Sequence, residues 1–130
     1  MRSTLSIFAF LLWIAAWAQP VTEGSKFDPE LDVPEFKAAM EDPGVQLIDV
    51  RTSREFSTGH IPGSINVDWT APDFETTFTR LDRERPVLLY CAMGGRSDQA
   101  REFLEGKGYN AQHLEGGIGA WKEAGMPIVK

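Results

Sequence analysis

A second cysteine is missing: Cys91 is the only one in 130 residues, so no internal disulfide can form. Basic charge is also in short supply. Thirteen Lys and Arg stand against nineteen Asp and Glu, a formal charge of -6, whereas a nucleic-acid binder carries a basic patch or stripe. The two histidines, His60 and His113, lie far apart in the chain, and with a single cysteine they do not make a typical structural zinc site. Gly116, Gly117 and Gly119 form a glycine cluster, but no Gly-Lys-Ser/Thr ending follows and neither nucleotide fingerprint has its spacing. They read instead as close backbone packing under Trp121. No metal and no bound cofactor is expected. No internal repeat is present, and no apolar run reaches the ~20 residues that span a bilayer.

The apolar run that is present opens the chain. Arg2 precedes a run from Leu5 to Ile14, and Ala16-Trp17-Ala18 leads into Gln19-Pro20, the three-part pattern of a secretory signal with an Ala-x-Ala cleavage site. The expected organisation is a cleaved signal peptide over 1–18, a leader over 19–30 with a short edge strand near Phe27, and one domain over 31–130. Cleavage leaves 112 residues with a formal charge of -7, no stable membrane anchor and no amino-terminal cysteine for a lipid. The expected location is the periplasm, with secretion as the alternative. A chain of this size buries roughly 60 to 70% of its unfolded surface, enough for one core. An unpaired thiol in an oxidising compartment is a liability, so its presence there points to a task.

Strand and helix signals alternate from Asp32 onward. Asp32 and Glu35 have capping-box spacing ahead of Phe36, Ala39 and Met40; Thr52 and Glu55 repeat it, and that helix stops at Gly59. Residues 45–50, 64–67, 87–90 and 110–114 read as strands, and Pro72 opens a helix with Phe74, Phe78 and Leu81 on one face. Trp69 reads as core or as pocket rim. The pattern predicts an α/β domain with a mostly parallel sheet of about five strands and helices on both faces.

The chemistry centres on residues 86–108. Val87-Leu88-Leu89-Tyr90 is a buried strand, Cys91-Ala92-Met93-Gly94-Gly95-Arg96 a loop, and Ala100, Phe103 and Leu104 one face of a helix. Cys91 therefore stands at the carboxyl end of a strand and ahead of a helix start, where open α/β sheets place their ligand crevice. Unpaired amides there favour an anion. A thiol so placed ionises readily, and the thiolate is the reactive species. Gly94 and Gly95 supply backbone freedom for the loop to curl around the sulfur. Arg96 adds a permanent cation that contacts an oxyanion or braces the loop. A buried structural cysteine is the plain alternative.

This loop resembles the active-site loop of the rhodanese family of sulfurtransferases. Further stretches match in the family's order: Leu47-Ile48-Asp49-Val50-Arg51, Glu55-Phe56, Gly59 to Asn66, and Leu114 to Trp121. The resemblance implies a single rhodanese-like domain in which Cys91 carries a sulfane sulfur as a persulfide, with Ala92, Met93, Gly94, Gly95 and Arg96 lining the substrate site. It also implies a small sulfur-containing anion or a persulfide as donor, and cyanide or a thiol as acceptor. Ala92 and Met93 depart from thiosulfate-specific members, which often carry another cation in the loop; weak thiosulfate binding is then expected, and the donor is thiosulfate or a less charged persulfide or polysulfide. The rivals are a non-turnover sulfur carrier or redox-sensing module, and a cysteine phosphatase or arsenate reductase. The last pair places its arginine six positions after the cysteine, whereas here the separation is five.

Three other features are weighed against Cys91. Asp49 and Arg51 share a face of the strand end, in the layer where Cys91 also emerges, and read mainly as a structural ion pair. His60, the obvious base for a cysteine-histidine enzyme, lies in what the resemblance implies is a structural turn. His113 reads as a surface residue.

Overall fold

Strands form in this chain where apolar residues run unbroken, and helices form where a capping residue precedes an apolar face. The computed structural model describes residues 28–130; the expected signal peptide and the edge strand near Phe27 lie outside the described residues. The elements run β1 (Glu30–Leu31), α1 (Val33–Ala39), β2 (Gln46–Asp49), α2 (Ser53–Thr58), β3 (Ile65–Asn66), α3 (Phe74–Phe78), β4 (Val87–Tyr90), α4 (Gly95–Gly106), β5 (Ala111–Leu114) and α5 (Gly117–Glu123). The five strands form one sheet in the order β1-β5-β4-β2-β3, every pair parallel. This is the expected α/β architecture, with β4 at the centre and all four of its residues buried.

Both faces of the sheet are covered. Ile48, Val50, Leu89 and Cys91 point toward Phe78 of α3 and Leu104 of α4. Leu47, Leu88, Tyr90 and Leu114 point the other way, toward Phe36 of α1 and Trp121 of α5. A strand buried on both sides loses the alternation of apolar and polar residues, which explains the continuous run of β4. Each such Leu contributes on the order of 2–5 kcal/mol, judged by truncation to Ala.

Capping sets two of the helix starts. Asp32 accepts from Glu35 N at 2.9 Å and Glu35 returns a bond from Asp32 N at 3.2 Å; Thr52 and Glu55 repeat the exchange at the head of α2. Helix α3 departs from expectation. It begins at Phe74 rather than Pro72, and Asp73 before it provides no side-chain cap. Packing holds it instead: Trp69 sits 4.6 Å from Phe74 and 5.7 Å from both Phe78 and Phe103, centroid to centroid. Trp69 therefore belongs to a core cluster, with its indole N–H on Gln99 Oε1 at 3.2 Å.

The topology creates one crevice. From β2 the chain moves outward to β3, and from β4 it moves the opposite way to β5. Connections diverge beyond the carboxyl ends of β2 and β4, which is where such sheets bind ligands. Among the described residues no helix is long and apolar enough to cross a membrane.

Candidate active site

Cys91 follows the last residue of β4, and its side chain lies on the α4 face of the sheet, only 1% exposed. Gly94 takes φ 109°, a backbone that side-chain-bearing residues rarely adopt, and this turn aims its N–H at Cys91 Sγ, 3.0 Å away. Gly95 does not use that freedom. It is the first residue of α4 with ordinary backbone angles, a correction to the expectation that both glycines bend the loop.

The carbonyls of the loop are drawn away from the sulfur. Ile118 N donates to Cys91 O at 2.8 Å and Gly119 N to Ala92 O at 3.2 Å, so the start of α5 holds the loop from behind. Contact is close enough to require glycine: a Cβ on Gly117 would stand 2.5 Å from Cys91 O and 2.6 Å from Ala92 C. The glycine cluster is thus a backbone packing surface, as expected, and its partner is the cysteine loop itself.

The sulfur is set up to carry charge. Burial pushes the Cys91 pKa up, but hydrogen bonds from the Ser97 hydroxyl and from the N–H groups of Ser97, Gly94 and Met93 outweigh it, and the thiol lies below its ordinary value. Ser97 was not among the residues singled out from the sequence. Its polar side chain one residue past the loop, at the helix start, was the available signal.

Arg96 lies at the loop's far end and reaches to Glu55 of α2. Its Nη1 and Nη2 donate to Glu55 Oε1 and Oε2 at 2.7 and 2.9 Å, a two-pronged ion pair across the crevice. That hydrogen bond holds the Glu55 carboxyl down to about 2. Of the two expectations for Arg96, the geometry is that of the brace. Ala92 and Met93 add no charge, and Met93 is 77% exposed at the mouth of the loop.

The remaining candidates are engaged by partners other than the sulfur. Arg51 Nη2 binds Asp49 Oδ2 and the Gly59 carbonyl, both at 2.7 Å, and its guanidinium lies over the Tyr90 ring. That pair shares the Tyr90 face, opposite Cys91, and fastens β2 to the turn after α2. His60 stacks on Phe56 with centroids 3.7 Å apart, and its Nδ1 is 3.0 Å from Phe56 O. It is a turn residue. His113 is the correction: it is 3% exposed rather than at the surface. Strand β5 is covered on both faces, and His113 points at α4, where Ser97 Oγ lies 3.0 Å from its Nδ1. Among the described residues no three His, Cys, Asp or Glu side chains are grouped to hold a metal ion.

A parallel α/β domain that holds one buried thiol beyond the end of its central strand, with a main-chain N–H donated to the sulfur, defines the class. The rhodanese-like domain family matches residues 32–124, and the chain belongs to that family. It is 36% identical over 86 residues to a sulfurtransferase of Allochromatium vinosum, covering 65% of this chain and 78% of that protein. It is 31% identical over 91 residues to thiosulfate sulfurtransferase GlpE of Pseudomonas savastanoi pv. phaseolicola, covering 68% and 83%. Among solved structures, a rhodanese-related protein from Thermoplasma volcanium superposes with a TM-score of 0.70 at 31% identity, covering 77% of this chain and 96% of that one.

Proposed function

We propose that the chain is a sulfurtransferase that moves a sulfane sulfur through a persulfide on Cys91. The observation that carries this reading is the Gly94 N–H aimed at Sγ from 3.0 Å, in a loop whose first two carbonyls are held elsewhere. In the first half-reaction the thiolate attacks the outer sulfur of the donor. A Cys91 S–S bond forms, the donor's own bond to that sulfur breaks, and the leaving group, sulfite in the case of thiosulfate, departs with the electron pair. In the second, cyanide or a thiolate attacks the outer sulfur, the bond to Sγ breaks and the Cys91 thiolate returns. Dividing the transfer in two predicts ping-pong kinetics.

Arg96 is engaged by Glu55, so the loop offers a donor amides and no free side-chain cation of its own. This favours a persulfide or polysulfide over thiosulfate as the physiological donor, and makes thiosulfate a weak one. The phosphatase reading is disfavoured by the same pair, because an arginine bound to Glu55 is not placed over the thiol to hold a phosphate. Export to the periplasm is proposed with it, on the signal pattern of residues 1–18; amino-terminal sequencing of periplasmic protein is expected to begin at Gln19.

The test is intact-protein mass spectrometry after incubation with thiosulfate or polysulfide. A gain of one sulfur, removed by cyanide and absent in Cys91→Ser, is expected. No gain with any sulfane donor overturns the enzyme reading and leaves a binding module.

A further inference from the structure

Helix α2 carries Glu55, the residue that grips Arg96, yet none of its six residues is buried. Core packing alone does not fix where it stands, and its two ends must. At the first end Thr52 closes the capping box. At the second, the turn that follows is caught from three sides. Arg51 Nη2 donates to Gly59 O at 2.7 Å, Ile61 N donates to Tyr90 Oη at 3.0 Å, and between them both main-chain groups of His60 go to Val129. His60 N donates to Val129 O at 2.8 Å and Val129 N to His60 O at 2.9 Å, an antiparallel bridge outside the sheet. His60 passes this hold to the helix, because its ring stacks on Phe56, the neighbour of Glu55, and its Nδ1 lies 3.0 Å from Phe56 O.

The same segment is tied to α5. Trp121 Nε1 donates to Pro127 O at 2.8 Å, Met126 N donates to Trp121 O at 3.2 Å, and Met126 and Ile128 pack on the cluster that holds Trp121. Ile128 also closes on the turn, where a Cβ at Gly59 would meet its Cγ2 at 2.9 Å. A closed circuit results. Residues 126–129 join α5 to the end of α2; α5 holds the Cys91 and Ala92 carbonyls, and α2 holds Arg96 at the other end of the same loop. We propose that Val129 is a positioning residue for Cys91, acting through its main-chain bridge to His60. By way of α2 and Glu55 the bridge sets where Arg96 stands, and so where the Gly94 N–H meets the sulfur. The Val129 side chain is 43% exposed, so its part is played by the N–H and the carbonyl rather than by apolar burial. Among the described residues no hydrogen bond joins residues 126–130 to residues 91–96, so the effect on the sulfur travels through the two helices.

The inference rests on Cys91 being the reacting group, and one arm of its test needs no sulfur donor. Val129→Pro removes the N–H and keeps the carbonyl. Because a misplacement of about 1 Å at a reacting atom can cost ~100-fold, kcat/KM for transfer from a polysulfide is expected to fall by roughly tenfold in this variant, with little change in thermal midpoint. Val129→Ala restores the N–H and is expected to recover the wild-type kinetics. Deleting residues 129 and 130 removes both bonds of the bridge without touching a buried side chain, and is expected to lose at least as much as Val129→Pro. Val129→Pro combined with Glu55→Gln is expected to lose no more than the larger single variant, because both cut one circuit. The donor-free arm is the amide NMR spectrum, in which the Gly94 N–H resonance is expected to move in Val129→Pro and to stay in Val129→Ala. A segment that merely stabilised the fold would lower the melting midpoint and leave the Gly94 resonance and kcat/KM where they are. In a protein that transfers sulfur, either of the two unmoved in Val129→Pro overturns the proposal. A Gly94 resonance that moves in a protein accepting no sulfur would sink the transfer reading and keep the positioning role, and wild-type transfer by Val129→Pro with Gly94 unmoved would do the reverse.

Discussion

At the scale of single residues the sulfur is served by groups of two kinds. Amides and the Ser97 hydroxyl act on it directly, while Arg96 and Glu55 act at a distance by fixing where the loop stands. The two side chains are about one third exposed, 29% and 34%, so solvent screens their attraction and the pair contributes ~0.2–1 kcal/mol to stability. Its value to activity is larger, because misplacing a reacting atom by about 1 Å can cost ~100-fold. Glu55→Gln is therefore expected to lower kcat/KM for persulfide transfer by roughly tenfold or more while shifting the thermal midpoint only slightly; kinetics and a melting curve on the same preparation check both. Arg96→Lys keeps the charge and loses the fork, and is expected to resemble Glu55→Gln. Unchanged kinetics in both variants would show that the brace does not position the loop. None of this pairing was legible in the sequence. Forty-one positions separate Glu55 from Arg96, and only the fold brings them together.

At the scale of elements, what could be read depended on how local the cause was. The starts of α1 and α2 were visible because a capping box lies within four residues, and β4 was visible because burial on both faces leaves an unbroken apolar run. The start of α3 was misjudged because its determinants are ring contacts made by Trp69 and Phe103, residues outside the helix. His113 was misplaced for a related reason: a lone polar residue in a short strand looks like a surface position unless its hydrogen-bond partner, here on α4, is known. The glycines allow a sharper test of element against element. Gly117 sits at φ 59° against the backbone of Cys91 and Ala92, so Gly117→Ala incurs about 1–2 kcal/mol from the left-handed backbone alone. The clash adds to that and pushes the cysteine loop off α5, so activity is expected to fall with stability. Gly95, with nothing near its missing Cβ, tolerates Ala and gains ~0.4–1 kcal/mol. Denaturant unfolding of the two variants distinguishes them, and equal stability would contradict the packing described for α5.

For the whole molecule the groups held away from their ordinary titration set the response to acid. Glu55 falls from 4.5 to about 2 on folding, chiefly through its hydrogen bond to Arg96, so the unfolded chain binds the proton more tightly. The stability this contributes is fully present above pH 4.5 and is lost as pH falls toward 2. His113 has its pKa lowered from 6.5, first by burial, so here too the unfolded chain holds the extra proton, and the stability gained by staying neutral declines once pH drops below 6.5. The two act with one sign in adjacent windows. Thermal stability is expected to be flat near neutral pH, to decline below about 6.5 and to decline further below about 4.5. The informative quantity is the difference in slope between variants. Glu55→Gln should remove slope only in the lower window and His113→Asn only in the upper one, as calorimetry across pH would record. If Glu55→Gln followed the wild-type slope between pH 4.5 and 2, the strut joining α2 to the cysteine loop would not persist in solution. The case that the fold holds this loop rigid around its thiolate would then rest on α5 and the backbone amides alone.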